Sequence, residues 1–463
     1  MYGLLAGPTI ATAQSRDEVL ATMKRAATYY HTRVAVHGGY VYYTSSDLQQ
    51  RFGEGVASPE QIWVQPPGTP TVGLAYLAAW RATGDKFYLD AAIDAARALV
   101  HGQLRSGGWT NAVDFNPRGS HSADYRNGQG RGKNNSTLDD GITQSALVLL
   151  FRVDQALDFR DSAIHDAAKV GLDALLAAQY ANGAFPQVWT GPVPARPVLK
   201  AKFPDYAWRT ENRIKEYWNE YTLNDDLASY VADTLIVAHE VYRDARALAA
   251  LRTLGDFLVL AQLPEPQPGW AQQYDTEMRP IWARKFEPPA VAGRETQTAL
   301  ETLLKIHRHT HDAKFLEPFP RALAYFKRSR LADGRLSRYY ELQTNRPLYM
   351  TERYELTYDD TNLPVHYGWK TESRIESIER DFAGAKLGKE LSTVKEPLTA
   401  AQVTEIIKSL DTEGRWLSTY DGSMIVGQPK FKPGQPYIAS AVFSRNLTLL
   451  SDYLGAPKIV NHD

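Results

Sequence analysis

The chain has 463 residues, 43% of them hydrophobic and 23% charged, and that composition excludes intrinsic disorder for most of its length. Its 52 Lys+Arg balance 53 Asp+Glu, so it lacks the basic excess of a nucleic-acid binder. It has no cysteine, which removes disulfides, zinc–thiolate sites and a thiol nucleophile together.

No run of 18 apolar residues is present, so no membrane-spanning helix is expected. Residues 4–14 read like the tail of a signal peptide, with Ala11-Thr12-Ala13 as an A-x-A cleavage site. The expectation is a leader remnant or disordered lead over 1–16, export to the periplasm or beyond, and one domain over 17–463. Aromatic residues are abundant, 11% of the chain. Burial explains most such rings, although sugar-binding clefts use them too.

In chain order, 39–44 (GYVYYT) alternates like a strand, with Tyr40 and Tyr42 expected in the core. Helical spacing of apolar residues follows over 71–80, 88–100, 141–157, 165–178, 227–242 and 294–307. Residues 338–342 again suggest a strand. From about 331 the chain turns loop-rich, with one more helix over 399–410 and a Pro/Gly-rich stretch over 427–437.

A repeat underlies the helical part. Gln103, Gln179 and Gln262 each end an apolar helix and precede a Gly-containing turn, Gly107-Gly108-Trp109, Gly183-Ala184-Phe185 and Gly269-Trp270. Two-helix units that recur in this way stack because no single unit can bury its own apolar face. The expected fold is all-α, an incomplete α/α toroid with short β segments in its loops and C-terminal part. The glutamines are expected to end inner helices and to serve a structural role.

Two helices open on doubled acids, Asp139-Asp140 and Asp225-Asp226. Helix capping is one reading, since Asp and Asn accept free N–H groups there. A hard cation such as Ca²⁺, which takes several carboxylate oxygens, is the other. Arginines then gather with aromatic residues where regular helix is lost: Arg279 and Arg284 after Trp270, and Arg338, Arg346 and Arg353 around Tyr340. Arginine pairs with carboxylate bidentately, so this set suits an acidic polymer. Trp270, Arg279, Tyr340 and Arg346 are candidate substrate contacts on that ground.

Four stretches carry a resemblance: 183–187 (GAFPQ), 221–226 (YTLNDD), 270–287 and 338–347 (RYYELQTNRP). Together, over about 134–373, the chain resembles family 10 polysaccharide lyases, the pectic acid (pectate) lyases. That resemblance implies an (α/α)₃-like toroid and Ca²⁺-dependent anti-β-elimination on polygalacturonate. It implies metal binding at Asp139 and Asp140 and at Asp225 or Asp226. It also implies Arg284 as catalytic base, with Arg338 and Arg353 on substrate carboxylates.

The chemistry explains those residue types. Removing the proton α to a uronate carboxylate is difficult unless the carboxylate is neutralised, which Ca²⁺ and Arg accomplish. An arginine base must first lose its own proton, so neighbouring positive charge should favour its neutral form and an alkaline optimum is expected. The expected partner is an acidic polysaccharide, and a monomer is expected.

Some positions depart from the family pattern: Tyr274, Asp140, and the absence of a lysine shortly before Trp270. Residues 189–219 form a long segment carrying Lys200, Lys202, Arg209, Arg213 and Lys215, which leaves another uronan open. A glycoside hydrolase using Asp139, Asp226 or Asp275, and a non-catalytic glycan binder, are the competing classes. An isoprenoid cyclase, suggested by the Gln-x-x-x-Gly-Gly-Trp repeat, fits the Arg-rich loops badly.

Overall fold

The protein is described here by a computed structural model covering residues 15–211, 213–389 and 398–455. The Ala11-Thr12-Ala13 motif lies outside the described residues. Several helices begin where a short polar side chain accepts backbone N–H groups. Ser15 starts α1 (Arg16–Tyr29) by accepting from Glu18. Helix α2 (Thr69–Thr83) has Pro70 in its first turn, where the missing N–H costs nothing, and ends at Gly84 with φ +72°. Asp85 caps α3 (Lys86–Gly102). After α4 (Ile142–Ala156), Asp161 caps α5 (Ser162–Ala177). After α6 (Leu227–Tyr242), Asp244 caps α7 (Ala245–Ala261). Then follow α8 (Gly293–Thr310), α9 (Phe319–Ser329) and α10 (Ile375–Lys386). A Thr399–Gln402 capping box opens α11 (Ala400–Lys408), and α12 (Ser440–Gly455) closes the described chain.

Helices α2, α4, α6 and α8 pack side by side as an inner layer, while α3, α5 and α7 lie outside them. Burial agrees: α4 is enclosed on most of its surface, α5 on one stripe only. The result is an incomplete α/α toroid. The glutamine-terminated helices are therefore the outer ones, the reverse of the layer expected from sequence. Periodicity reports an apolar face but not which side of the ring it looks from.

The glutamines themselves do what the repeat requires. Gln103 Nε2 donates to Gly107 O and to Ala167 O, both at 2.9 Å, which ties its turn to the next outer helix. Gln179 does the same to Gly183 O (3.1 Å) and Ala250 O (2.9 Å), and Gln262 to Pro268 O (3.1 Å) and Pro318 O (3.0 Å). At Gly183, φ is +92° and a Cβ would lie 1.9 Å from Thr253 O, so glycine is demanded there.

The ring is extended by α12, which packs on α2 with α1 against it, a helix that the sequence reading leaves out. Phe443, Leu447 and Leu450 bury its inner face. The run at 39–44 forms a strand only over Tyr43–Ser45, which sits between Pro436–Ala439 and Arg51–Phe52 and so joins the two ends of the chain. Tyr40 and Tyr42 are buried as expected. A second small sheet (Ala290–Ala292, Tyr339–Glu341, Pro347–Met350, Leu356–Thr357) covers a separate core around Trp282, Tyr339 and Trp369. Among the described residues no helix is long and apolar enough to cross a membrane.

Candidate active site

The two acidic helix starts are built alike. Ser136–Thr137 pairs with Val188–Trp189 before α4, and Tyr221–Thr222 pairs with Gln273–Tyr274 before α6. Leu138 N–H then donates to Gln187 O, and Leu223 N–H to Gln272 O. Neither helix start has a side-chain cap, so capping does not explain these acids. Asp140 (φ +44°), Asp225 (φ +52°) and Asp226 (φ +57°) instead occupy the left-handed region, an uncommon conformation for residues other than glycine. Such strain gathers at functional sites.

These turns bring Asp139, Asp140 and Asp225 together, with one carboxylate oxygen from each lying within 4.8 Å of the others. Burial, then repulsion from Asp225, pushes Asp139 up to about 6. Burial, then Asp139 and Asp225, pushes Asp140 up to about 7. Asp226 stands where Gly141 stands in the companion turn, and its carboxylate looks away from the cluster. It accepts from Arg294 Nη2 at 2.7 Å and from Thr298 Oγ1 at 2.8 Å, both on α8. Arg294 also lies 3.9 Å from Asp225.

Arg284 faces this cluster: its charge favours the ionised form of Asp139, and the Asp225 carboxylate in turn favours charged Arg284. Its Nη2 donates to Glu287 Oε1 at 2.5 Å, and its backbone N–H to Glu287 Oε2 at 3.0 Å. Glu287 is enclosed and also accepts from Gln272 Nε2 and Tyr367 Oη. Burial opposes the charge on Arg284, but Glu287 and Asp225 hold its ionisation above the ordinary arginine range. In this respect the structure differs from the sequence expectation of a guanidinium surrounded by positive charge: an enclosed carboxylate lies beside it.

Arg338 is nearly enclosed next to the same cluster, donating to Glu295 Oε1 at 2.8 Å, and its Nε finds no partner. Arg353 is exposed on a turn whose Tyr354 stacks on Phe286, two residues from Arg284. Arg353 has no ion pair among the described residues.

The other four candidates lie apart from the cluster. Trp270 is fully buried, its Nε1 donating to Leu258 O as Trp109 Nε1 does to Leu99 O. Tyr340 is buried and donates to Ser329 O. Arg279 is taken up by Asp275, Asp205 and Glu277. Arg346 lies on the Tyr358 ring, 3.4 Å from its centroid.

Sequence reasoning missed several neighbours. Gln65 Nε2 donates to Asp140 Oδ2 (2.8 Å) and to Glu54 Oε1 (2.9 Å). Asn224 Nδ2 donates to Asp225 Oδ2 at 2.8 Å and leaves its Oδ1 buried without a partner. The run that held Arg284 also held Glu287, but Glu54 and Gln65 carry no local signal because they reach the site only through the fold.

The pectic acid lyase family model matches residues 103–337, just over half of the chain. That span holds α4 to α9, the three acids, Arg284 and Glu287. No curated protein matches the sequence. Among solved structures, a mutant family 10 polysaccharide lyase from Cellvibrio cellulosa in complex with trigalacturonic acid is 20% identical, with TM-score 0.48, covering 69% of this chain and 98% of that one. A D-mannose isomerase is 12% identical, with TM-score 0.48, covering 97% and 100%. A cellobiose 2-epimerase from Bacillus thermoamylovorans is 13% identical, with TM-score 0.47, covering 94% and 98%. On the family match, which takes in the acidic turns and the arginine facing them, the chain belongs to the pectic acid lyase family and is a polysaccharide lyase.

Proposed function

We propose that the protein cleaves a uronic-acid polysaccharide, polygalacturonate first among them, by Ca²⁺-dependent anti-β-elimination with Arg284 as the base. The observation that carries this reading is the Asp139–Asp140–Asp225 cluster opposite Arg284. The donor set fits a hard cation: clustered carboxylate oxygens from two turns, and an orphaned amide oxygen on Asn224 beside Asp225. When bound, Ca²⁺ neutralises a substrate carboxylate and so acidifies the adjacent C–H.

This chain's residues supply the rest. Arg338 and Arg353 meet uronate carboxylates, which orients the sugar ring with its C5 proton toward Arg284. Neutral Arg284 takes that proton, the C–H electron pair becomes the C4–C5 double bond, and the C4–O bond breaks. The departing oxygen takes a proton from water. Glu287 fixes Arg284 in place by accepting one hydrogen bond from its guanidinium Nη2 and one from its backbone N–H. That anchoring also favours the charged form of Arg284, so turnover should demand alkaline pH.

A polymeric substrate is met outside the cytoplasm, which supports a secreted or periplasmic protein. All the groups named belong to one copy, so a monomer suffices. The test is ultraviolet absorbance of polygalacturonate with the protein, with Ca²⁺ and then with a chelator. An unsaturated-product signal that the chelator stops supports the reading. Reducing ends without unsaturation would overturn it.

A further inference from the structure

The turn at residues 52–56 brings a further acid to the cluster from outside the span that the family model matches. Phe52 and Val56 form a β-bridge, Gly53 N–H donates to Gly55 O at 2.9 Å, and Glu54 is exposed at the tip. The turn is locked on both sides. A Cβ on Gly53 would lie 2.0 Å from the Trp63 ring, and one on Gly427 would lie 1.9 Å from Gly53 O. Glu54 is therefore presented from a fixed base and not from a loose loop.

Gln65, 5% exposed, shares its amide Nε2 between Glu54 and Asp140. One buried side chain thus aligns a carboxylate of the cluster with a carboxylate that has no cationic partner among the described residues. On the far side, the 5% exposed Asn224 leaves Oδ1 without a donor, so the cluster as a whole has more acceptors than its own hydrogens satisfy.

We propose that Glu54 is a fourth carboxylate of the cation site, taking its place by a rotation of its exposed side chain while Gln65 holds Asp140. This rests on reading Asp139, Asp140 and Asp225 as that site. Calcium accepts six to eight oxygens, and its affinity follows the number of charged ligands. A turn from the N-terminal part of the chain therefore completes a site whose other acids lie in the turns before α4 and α6.

The experiment is calorimetric titration of Ca²⁺ into the intact protein without substrate, in ~0.5 M salt so that remote charges are screened. Wild type is compared with Glu54→Gln and Asp225→Asn. Glu54→Gln should weaken Ca²⁺ binding about tenfold, as expected from one fewer charged ligand, and Asp225→Asn should weaken it further. If Asp225→Asn weakens binding and Glu54→Gln leaves it within twofold, the proposal is overturned while the cation site stands. If wild type takes up no Ca²⁺, or Asp225→Asn changes nothing, the underlying reading falls and the proposal with it.

Discussion

Glu287 Oε1 accepts from Arg284 Nη2 at 2.5 Å while remaining almost wholly enclosed, and Arg284 keeps nearly half of its side chain open to the cleft. The pair fixes where the guanidinium stands and at the same time resists the loss of its proton. Position and basicity are thus set by one contact, and they pull in opposite directions.

Removing the guanidinium should separate binding from chemistry. Arg284→Ala should lower kcat by about 10²–10⁴, the range for a positioned general base, with substrate still retained. Steady-state kinetics and equilibrium binding of polygalacturonate check this. Turnover within tenfold of wild type would place the base elsewhere.

Glu287→Gln keeps the hydrogen-bonding shape but removes the charge that favours ionised Arg284. The rising limb of kcat/KM against pH should move to lower pH, because less alkali is then needed to free the base. An unmoved limb would mean that Arg284 does not titrate in the reaction.

The acid cluster predicts how the metal-free protein responds to pH. Asp139 and Asp140 rise to about 6 and about 7 in the fold, above the ordinary carboxylate value of ~3.9. The native state therefore holds more protons than the unfolded state between those limits, and stability falls as pH rises through that window. Melting temperature in chelator should decline from about pH 4 to about pH 7, and added Ca²⁺ should restore it at the upper end. A chelated protein whose melting temperature is flat across the window contradicts the repulsion within the cluster.

Arg353 and Arg279 should behave differently. Arg353 is exposed and unpaired among the described residues, so Arg353→Gln should raise KM with little effect on stability. Arg279 is bound to three acids, so Arg279→Gln should lower stability and leave KM within about twofold, since interactions distant from substrate add no binding energy. Kinetics and thermal melts of both variants decide it, and a KM increase for Arg279→Gln alone would reverse the assignment.

Gln103→Ala should leave Gly107 O and Ala167 O without their buried donor. At about 1–3 kcal/mol for an unsatisfied buried group, urea unfolding should register a loss of that order, with Ca²⁺ binding unchanged. No loss would remove the structural role of the repeat glutamine.

Much of the fold was legible in the residues. The repeated glutamines and the 3.6-residue spacing point to stacked helix pairs because each pair leaves an apolar face exposed alone. The doubled acids stood out because they exceed what capping needs, and the family resemblance singled out Arg284. Trp270 and Tyr340 looked like substrate contacts by type, yet burial takes both away from the cleft, and type alone cannot tell a core ring from a cleft ring.

By itself, the sequence determined the helical class, the repeat and the lyase resemblance, and that resemblance singled out the doubled acids and Arg284 as candidates. These follow from local spacing and from residue types that only certain reactions use. Tertiary structure alone decided which helices face inward, that Asp226 turns to Arg294 while Asp225 joins Asp139 and Asp140, and that Glu54 and Gln65 arrive from far along the chain. Those outcomes depend on packing between distant segments and on backbone conformations at single residues, and neither leaves a periodic trace in the sequence.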